Sequence, residues 1–168
     1  MKREIIAINE GWKFCLDPEN IGQKQNWQEK GLDQKSKIGA VKTVMLPHTF
    51  NTDSESEEYR GIFWYEYDFS VPEDWEDKQI WFDFHGIYRD ASFWVNGKSA
   101  GEHLGAGFTS FKLDVTKFVQ VGKNKLIVRG TNEYSPHALP WDRQFDWADD
   151  GGIFRPVYLL SLIHISEP

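Results

Sequence analysis

Between Phe63 and Val71 the chain alternates: Phe63, Tyr65, Tyr67, Phe69 and Val71 share one face, and Trp64, Glu66, Asp68 and Ser70 the other. A period of two is that of a strand with one side against a core. Gln79 to Phe84 repeats it with Ile80, Phe82 and Phe84, and Ala91 to Val95 repeats it again with Ala91, Phe93 and Val95. Asn96-Gly97 follows, a pair that tolerates positive φ at both centres of a type I′ turn, so Lys98 to His103 is predicted to fold straight back as a hairpin. Phe111, Leu113 and Val115 alternate with Lys112 and Asp114; Lys125 to Asn132 begins after the turn signal Gly122-Lys123-Asn124; a last apolar run starts at Val157 and ends at Leu162.

Only Pro18 to Lys30 has helical character, with Asp17 as N-cap, Pro18 at the first helical position and Gly31 as the stop. Short strands, frequent turns and long loops predict an all-β fold, a jelly-roll antiparallel β-sandwich with at most one short helix. Residues 1–160 form one domain in this scheme, and 161–168 a truncated or frayed tail.

Composition narrows the function. The 168 residues suffice for one domain with a sizeable core, and a net charge of −7 gives no basic footprint for nucleic acid. No apolar run is long enough for a membrane span, and Met1-Lys2-Arg3-Glu4 leads into only a short apolar stretch, Ile5 to Ile8, so neither a membrane anchor nor a signal peptide is expected. Cys15 is alone, which excludes an intrachain disulfide and, with the missing leader, favours a cytoplasmic setting. Aromatic residues make up 15% of the chain, with 8 Trp, enough for a core and for stacking surfaces besides.

The stretch from Leu139 to Val157 concentrates aromatics beside acids in a way a mere connector does not need: Trp141, Asp142, Phe145, Asp146, Trp147, Asp149, Asp150 and Phe154. An ionised carboxylate accepts hydrogen bonds from two sugar hydroxyls at once, and indole rings offer faces on which an apolar sugar face stacks. Asp146, Trp147 and Trp141 are therefore the candidate substrate-binding residues, and a carbohydrate the candidate ligand. The bland alternative has Asp146 tying down its own loop and both Trp rings filling the sandwich end.

Asp142, Asp149 and Asp150 are too few for calcium, which takes 6–8 oxygens, and read as a solvated face. His48, His85, His103, His137 and His164 lack ligand spacing, and the glycines from Gly101 to Gly107 match no phosphate-cradling pattern. No metal or cofactor is expected. Arg89 and Arg155 follow tightly turning segments and are expected to fix loop ends by pairing with acids such as Asp90 or Asp150.

Five groups of residues carry a resemblance in their order and spacing: Leu46-Pro47-His48-Thr49-Phe50-Asn51; Tyr59-Arg60-Gly61 leading into Trp64-Tyr65; Gly86-Ile87-Tyr88-Arg89-Asp90-Ala91 with Trp94-Val95-Asn96-Gly97; Gly101-Glu102-His103 with Gly105 to Thr109; and Asp146 six residues ahead of Gly152-Ile153-Phe154-Arg155. The chain resembles the N-terminal sugar-binding domain of glycoside hydrolase family 2, which includes β-galactosidases and β-glucuronidases. The resemblance implies a galactose-binding-domain-like jelly roll packed before an immunoglobulin-like sandwich and a (β/α)8 barrel. In that family the two catalytic carboxyl groups of retaining hydrolysis, about 5 Å apart, come from the barrel.

By the same resemblance this chain alone has no catalytic residue, and Asp146 is the acid that reaches the sugar in the barrel's active site. The monovalent cation that shares this acid in the β-galactosidase branch takes its other ligands from the barrel. Asp149-Asp150 departs from the Asn-Tyr or similar pair of the glucuronidase branch. Three functions remain: an accessory domain of a family 2 glycosidase acting on a β-glycoside, a free-standing carbohydrate-binding module, and an interaction sandwich with no sugar role.

Overall fold

The computed structural model describes residues 3–32, 40–133 and 150–163. Its strands are β1 (Glu4–Ala7), β2 (Trp12–Leu16), β3 (Lys42–Val44), β4 (Ile62–Val71), β5 (Lys78–Phe84), β6 (Asp90–Val95), β7 (Lys98–His103), β8 (Phe111–Asp114), β9 (Gly122–Thr131) and β10 (Val157–Ile163). All pair antiparallel, in a four-stranded sheet ordered β1-β10-β5-β8 and a six-stranded sheet ordered β3-β2-β4-β9-β6-β7. The expected jelly-roll sandwich is the fold, and the alternating segments lie in strands except for Val115, one residue past the end of β8. The hairpin turns with Asn96 at φ 50° and Gly97 at φ 80°, as a type I′ turn requires.

The odd-numbered face of β4 meets the other sheet. Phe69 packs edge-on against Phe82 of β5 with centroids 5.1 Å apart, and Phe84 of the same strand meets Phe93 of β6 at 5.1 Å. Each ring so buried contributes roughly 1.5–3 kcal/mol.

On the even-numbered face Trp64 and Glu66 are also buried, because a helical cap covers them. Trp27 lies edge-on to Trp64 at 5.7 Å, joined by Cys15, Leu32 and Ile127. A Cβ at Gly22 would stand 2.5 Å from the Trp27 ring and 2.7 Å from Trp64, so the cap sits this close only with glycine there.

The single helix expected over 18–30 is instead two four-residue helices, α1 (Ile21–Lys24) and α2 (Trp27–Lys30). Asn20 and Asn26 take left-handed conformations, φ 54° and 58°, which asparagine tolerates and which interrupt a helix. Asp17 does cap the segment: its carboxylate accepts from the Ile21 and Gly22 N–H groups at 2.7 and 2.9 Å and from the Trp64 indole at 2.9 Å. Gly31, at φ 86°, ends it as expected.

At the cap's far end Glu66, 2% exposed, accepts from Leu32 N–H at 2.7 Å and pairs with Lys125 at 2.9 Å and Lys13 at 3.3 Å. Burial alone would raise its pKa. The Leu32 bond and the two lysines outweigh that and hold it below the usual carboxylate range.

β1, β2 and β3 carry no clear alternation. β2 buries Trp12, Phe14 and Cys15 on both of its faces, since the cap covers one and the core the other. β10 continues three residues past position 160, with Ile163 opposite Lys78. Among the described residues no helix is long and apolar enough to cross a membrane.

Candidate functional site

Trp141, Asp146 and Trp147, together with Asp142 and Asp149, lie outside the described residues. The segments that flank residues 134–149 are described: Asn132 and Glu133 form the entry leg, and Asp150 to Ile153 the exit leg. The segments that carry the family resemblance, distant in sequence, converge on these legs.

Asn51 holds both. Its Oδ1 accepts from Gly151 N–H at 2.7 Å on the exit leg and from Asn132 Nδ2 at 3.3 Å on the entry leg. Its Nδ2 donates to the carbonyls of Ser56 (2.8 Å), Tyr59 (3.0 Å) and Glu57 (3.2 Å). Asn132 Oδ1 in turn accepts from Gly61 N–H at 3.0 Å. A carboxamide has a donor end and an acceptor end, so one buried side chain joins three backbone segments.

Tyr88 and Arg89 also bind both legs. Tyr88 exchanges backbone hydrogen bonds with Gly152 at 3.0 and 3.2 Å, and Arg89 N–H donates to Thr131 at 3.1 Å. The Arg89 guanidinium, its side chain 3% exposed, donates through Nη2 to the Glu133 carbonyl, with Nε 3.9 Å from the Asp90 carboxylate. That carboxylate already accepts from Gly105 N–H at 2.7 Å.

Beneath the exit leg, Ile153 N–H donates to the Tyr65 hydroxyl at 3.2 Å and Tyr65 bonds His48 Nδ1 at 2.7 Å, while His48 N–H donates to the Ile153 carbonyl at 2.8 Å. Burial pushes the His48 pKa down; Asp53 opposes that and Lys42 adds to it. Burial raises the Tyr65 phenol far above its ordinary range. The imidazole is held neutral. Gly152 sits at φ 128°, where a Cβ would stand 2.5 Å from the His48 carbonyl oxygen.

The arginines depart in part from expectation. Arg89 does lie beside Asp90, but Arg155 meets no acid among the described residues: its Nη1 donates to the carbonyls of Phe108 at 3.3 Å and His85 at 3.4 Å, and its guanidinium lies over Phe154. Asp90 is taken up by Gly105 and Arg89. His85 pairs with Asp83 at 3.3 Å and His103 bonds the Ala106 carbonyl at 2.9 Å; His137 and His164 fall outside the described residues. Among the described residues no three His, Cys, Asp or Glu side chains gather as a metal site. Sequence patterning marks Asn51 only as the end of a motif and Asn132 only as a strand end; a buried amide bridge has no periodic signature.

A family model described as "Glycosyl hydrolases family 2, sugar binding domain" matches residues 5–163. The chain belongs to glycosyl hydrolase family 2. A β-galactosidase of Thermoanaerobacter pseudethanolicus is 30% identical over 99% of this family 2 domain and 22% of its own length. A β-glucuronidase of Bacteroides fragilis is 31% identical over 95% of the domain and 21% of its own length. Among solved structures, the β-glucuronidase of Ruminococcus gnavus in complex with uronic isofagomine superposes with a TM-score of 0.82 at 28% identity, covering 95% of this chain and 29% of that one. The domain thus spans about a fifth of the length of these two curated relatives.

Proposed function

We propose that this domain is the N-terminal sugar-binding part of a larger family 2 β-glycosidase, and that its 134–149 loop brings Asp146 to a sugar bound in an active site on another domain. One observation carries this: the family's sugar-binding model spans residues 5–163, while the domain amounts to about a fifth of the enzymes it resembles. The carboxyl pair that glycoside hydrolysis uses then lies elsewhere in the polypeptide, on an expected (β/α)8 barrel reached through an immunoglobulin-like sandwich.

Asp146 accepts hydrogen bonds from sugar hydroxyls, and Trp141 and Trp147 supply faces on which the ring stacks. The doubly clamped loop stem supports this role, since a contact made in the transition state counts only if it is held in place beforehand. Relatives of both kinds, β-galactosidases and β-glucuronidases, support a β-glycoside as the substrate class.

The test is kinetic. In the full-length parent enzyme Asp146→Ala lowers kcat/KM on a nitrophenyl glycoside by about 10²-fold or more. The isolated chain hydrolyses none. Undiminished kcat/KM removes Asp146 from the site, and turnover by the isolated chain removes the accessory role. Tight sugar binding by the isolated chain in calorimetry identifies a free-standing carbohydrate-binding module instead.

A further inference from the structure

The stem's two clamps differ in kind. Asn51 is neutral, and both ends of its amide are occupied by groups that would otherwise be buried without partners. Arg89 is a buried cation. Taking a guanidinium out of water costs several kcal/mol, to be offset by close opposite charge or a full set of acceptors. Among the described residues Arg89 has neither: the Asp90 oxygen is 3.9 Å from Nε, Nε has no hydrogen-bond partner, and its hydrogen bond through Nη2 goes to a backbone carbonyl. An apolar side chain would fill this space at less cost.

What the guanidinium does achieve is specific. Residues 88 and 89 tie the exit leg at Gly152 through Tyr88 and the entry leg at Thr131 through the Arg89 backbone. The Arg89 side chain then reaches two residues further along the entry leg, to Glu133, beyond the end of β9. There the sheet no longer fixes the direction of the chain.

The geometry points to Arg89 as a positioning residue for the entry leg, setting through the Glu133 carbonyl the direction in which the backbone leaves the sandwich toward the sugar-contacting loop. This rests on the proposed function for its consequence in catalysis, but not for the contact itself. Its role is distinct from that of Asn51, whose loss unsettles the packing beneath both legs. Lysine in place of Arg89 keeps the charge and one reachable donor; methionine keeps the volume and donates nothing.

Two measurements test it. In the 168-residue chain, Arg89→Met leaves amide exchange in the middle of β4 and β9 unchanged and speeds exchange at Asn132 and Glu133 about tenfold or more, with Arg89→Lys intermediate. Unchanged exchange at those two residues overturns the positioning role whatever Asp146 does. In the full-length enzyme, Arg89→Met lowers kcat about tenfold or more with KM changed less than threefold, and has less than a twofold effect in an Asp146→Ala background. Equal losses in both backgrounds overturn the proposal while leaving Asp146 in its role. An Asp146→Ala enzyme of full activity overturns the function proposed for the loop, and the exchange experiment still decides the part played by Arg89.

Discussion

The helical cap and the loop stem both bury polar side chains, and they use them to opposite ends. In the cap, two carboxylates grip the start and the finish of one local segment: Asp17 takes the first free N–H groups of α1, and Glu66 takes Leu32 just past α2. The segment they hold packs through Trp27 against Trp64 of β4. In the stem, a carboxamide, an arginine and a His–Tyr pair hold the two described segments that flank residues 134–149. The cap stabilises what it touches. The stem, in the function proposed above, orients what lies beyond it.

That contrast fails if damage to the cap impairs activity as much as damage to the stem. Trp64→Ala removes one of the two indole rings buried in the outer cluster and leaves a cavity bounded by Trp27, Cys15 and Ile127, costing about 3–5 kcal/mol of unfolding free energy in urea denaturation. The kcat/KM of the parent enzyme, counted per folded molecule, stays within about twofold of the unsubstituted value, since no stem bond involves Trp64. A hundredfold loss would show that the two regions are not independent.

Gly152→Ala sharpens the same contrast from the other side. The added carbon meets the His48 carbonyl at 2.5 Å and the Tyr65 hydroxyl at 2.8 Å, at a φ of 128° that L-residues rarely adopt. The exit leg must shift, for about 1–3 kcal/mol of stability. That is less than the cap variant loses. Activity of the parent falls much further, about 10²-fold, because a misplacement near 1 Å at a positioning element has that size of effect. Stability and activity measured on both variants should therefore rank them in opposite orders.

How much of this was legible in the sequence follows from the same division. Strands β5 and β6 show themselves because one face is buried and the other partly exposed, which writes a period of two directly into Gln79 to Phe84 and Ala91 to Val95. β4 shows the same period in residue type although Trp64 and Glu66 are buried under the cap, and β7 is read from the Asn96-Gly97 turn. β2 shows no such period, because Trp12, Phe14 and Cys15 are buried on both faces. The helical segment was visible through Asp17 and Gly31, but not its break at Asn20 and Asn26, since asparagine in a helix and asparagine in a left-handed turn read alike. The candidate site residues, Asp146 and its neighbours, are read from their chemistry in the sequence alone and lie outside the described residues. The stem was not legible: Asn51 meets Gly151 and Asn132 across 100 and 81 positions of sequence, a distance no local pattern spans.

Acid separates the two regions by the smallest but most selective effect. The His48 pKa is held down in the fold, so between neutrality and its ordinary value near 6.5 the unfolded chain begins to bind a proton that the folded chain refuses. Stability contributed by the neutral imidazole is thus complete above about pH 6.5 and declines as pH falls toward the folded value. Glu66 is also held down, but from an ordinary value of about 4.3, so its contribution is complete above that point and is lost only at lower pH.

Acidification therefore weakens the stem first and the cap second, and urea midpoints taken from pH 8 to pH 3 should fall in two stages. His48→Gln flattens the first stage and leaves the second. Glu66→Gln does the reverse, costing about 1–3 kcal/mol at neutral pH because Leu32, Lys13 and Lys125 lose a charged acceptor. A single stage that both substitutions flatten equally would mean that cap and stem unfold as one unit, and the division of labour between them would not hold.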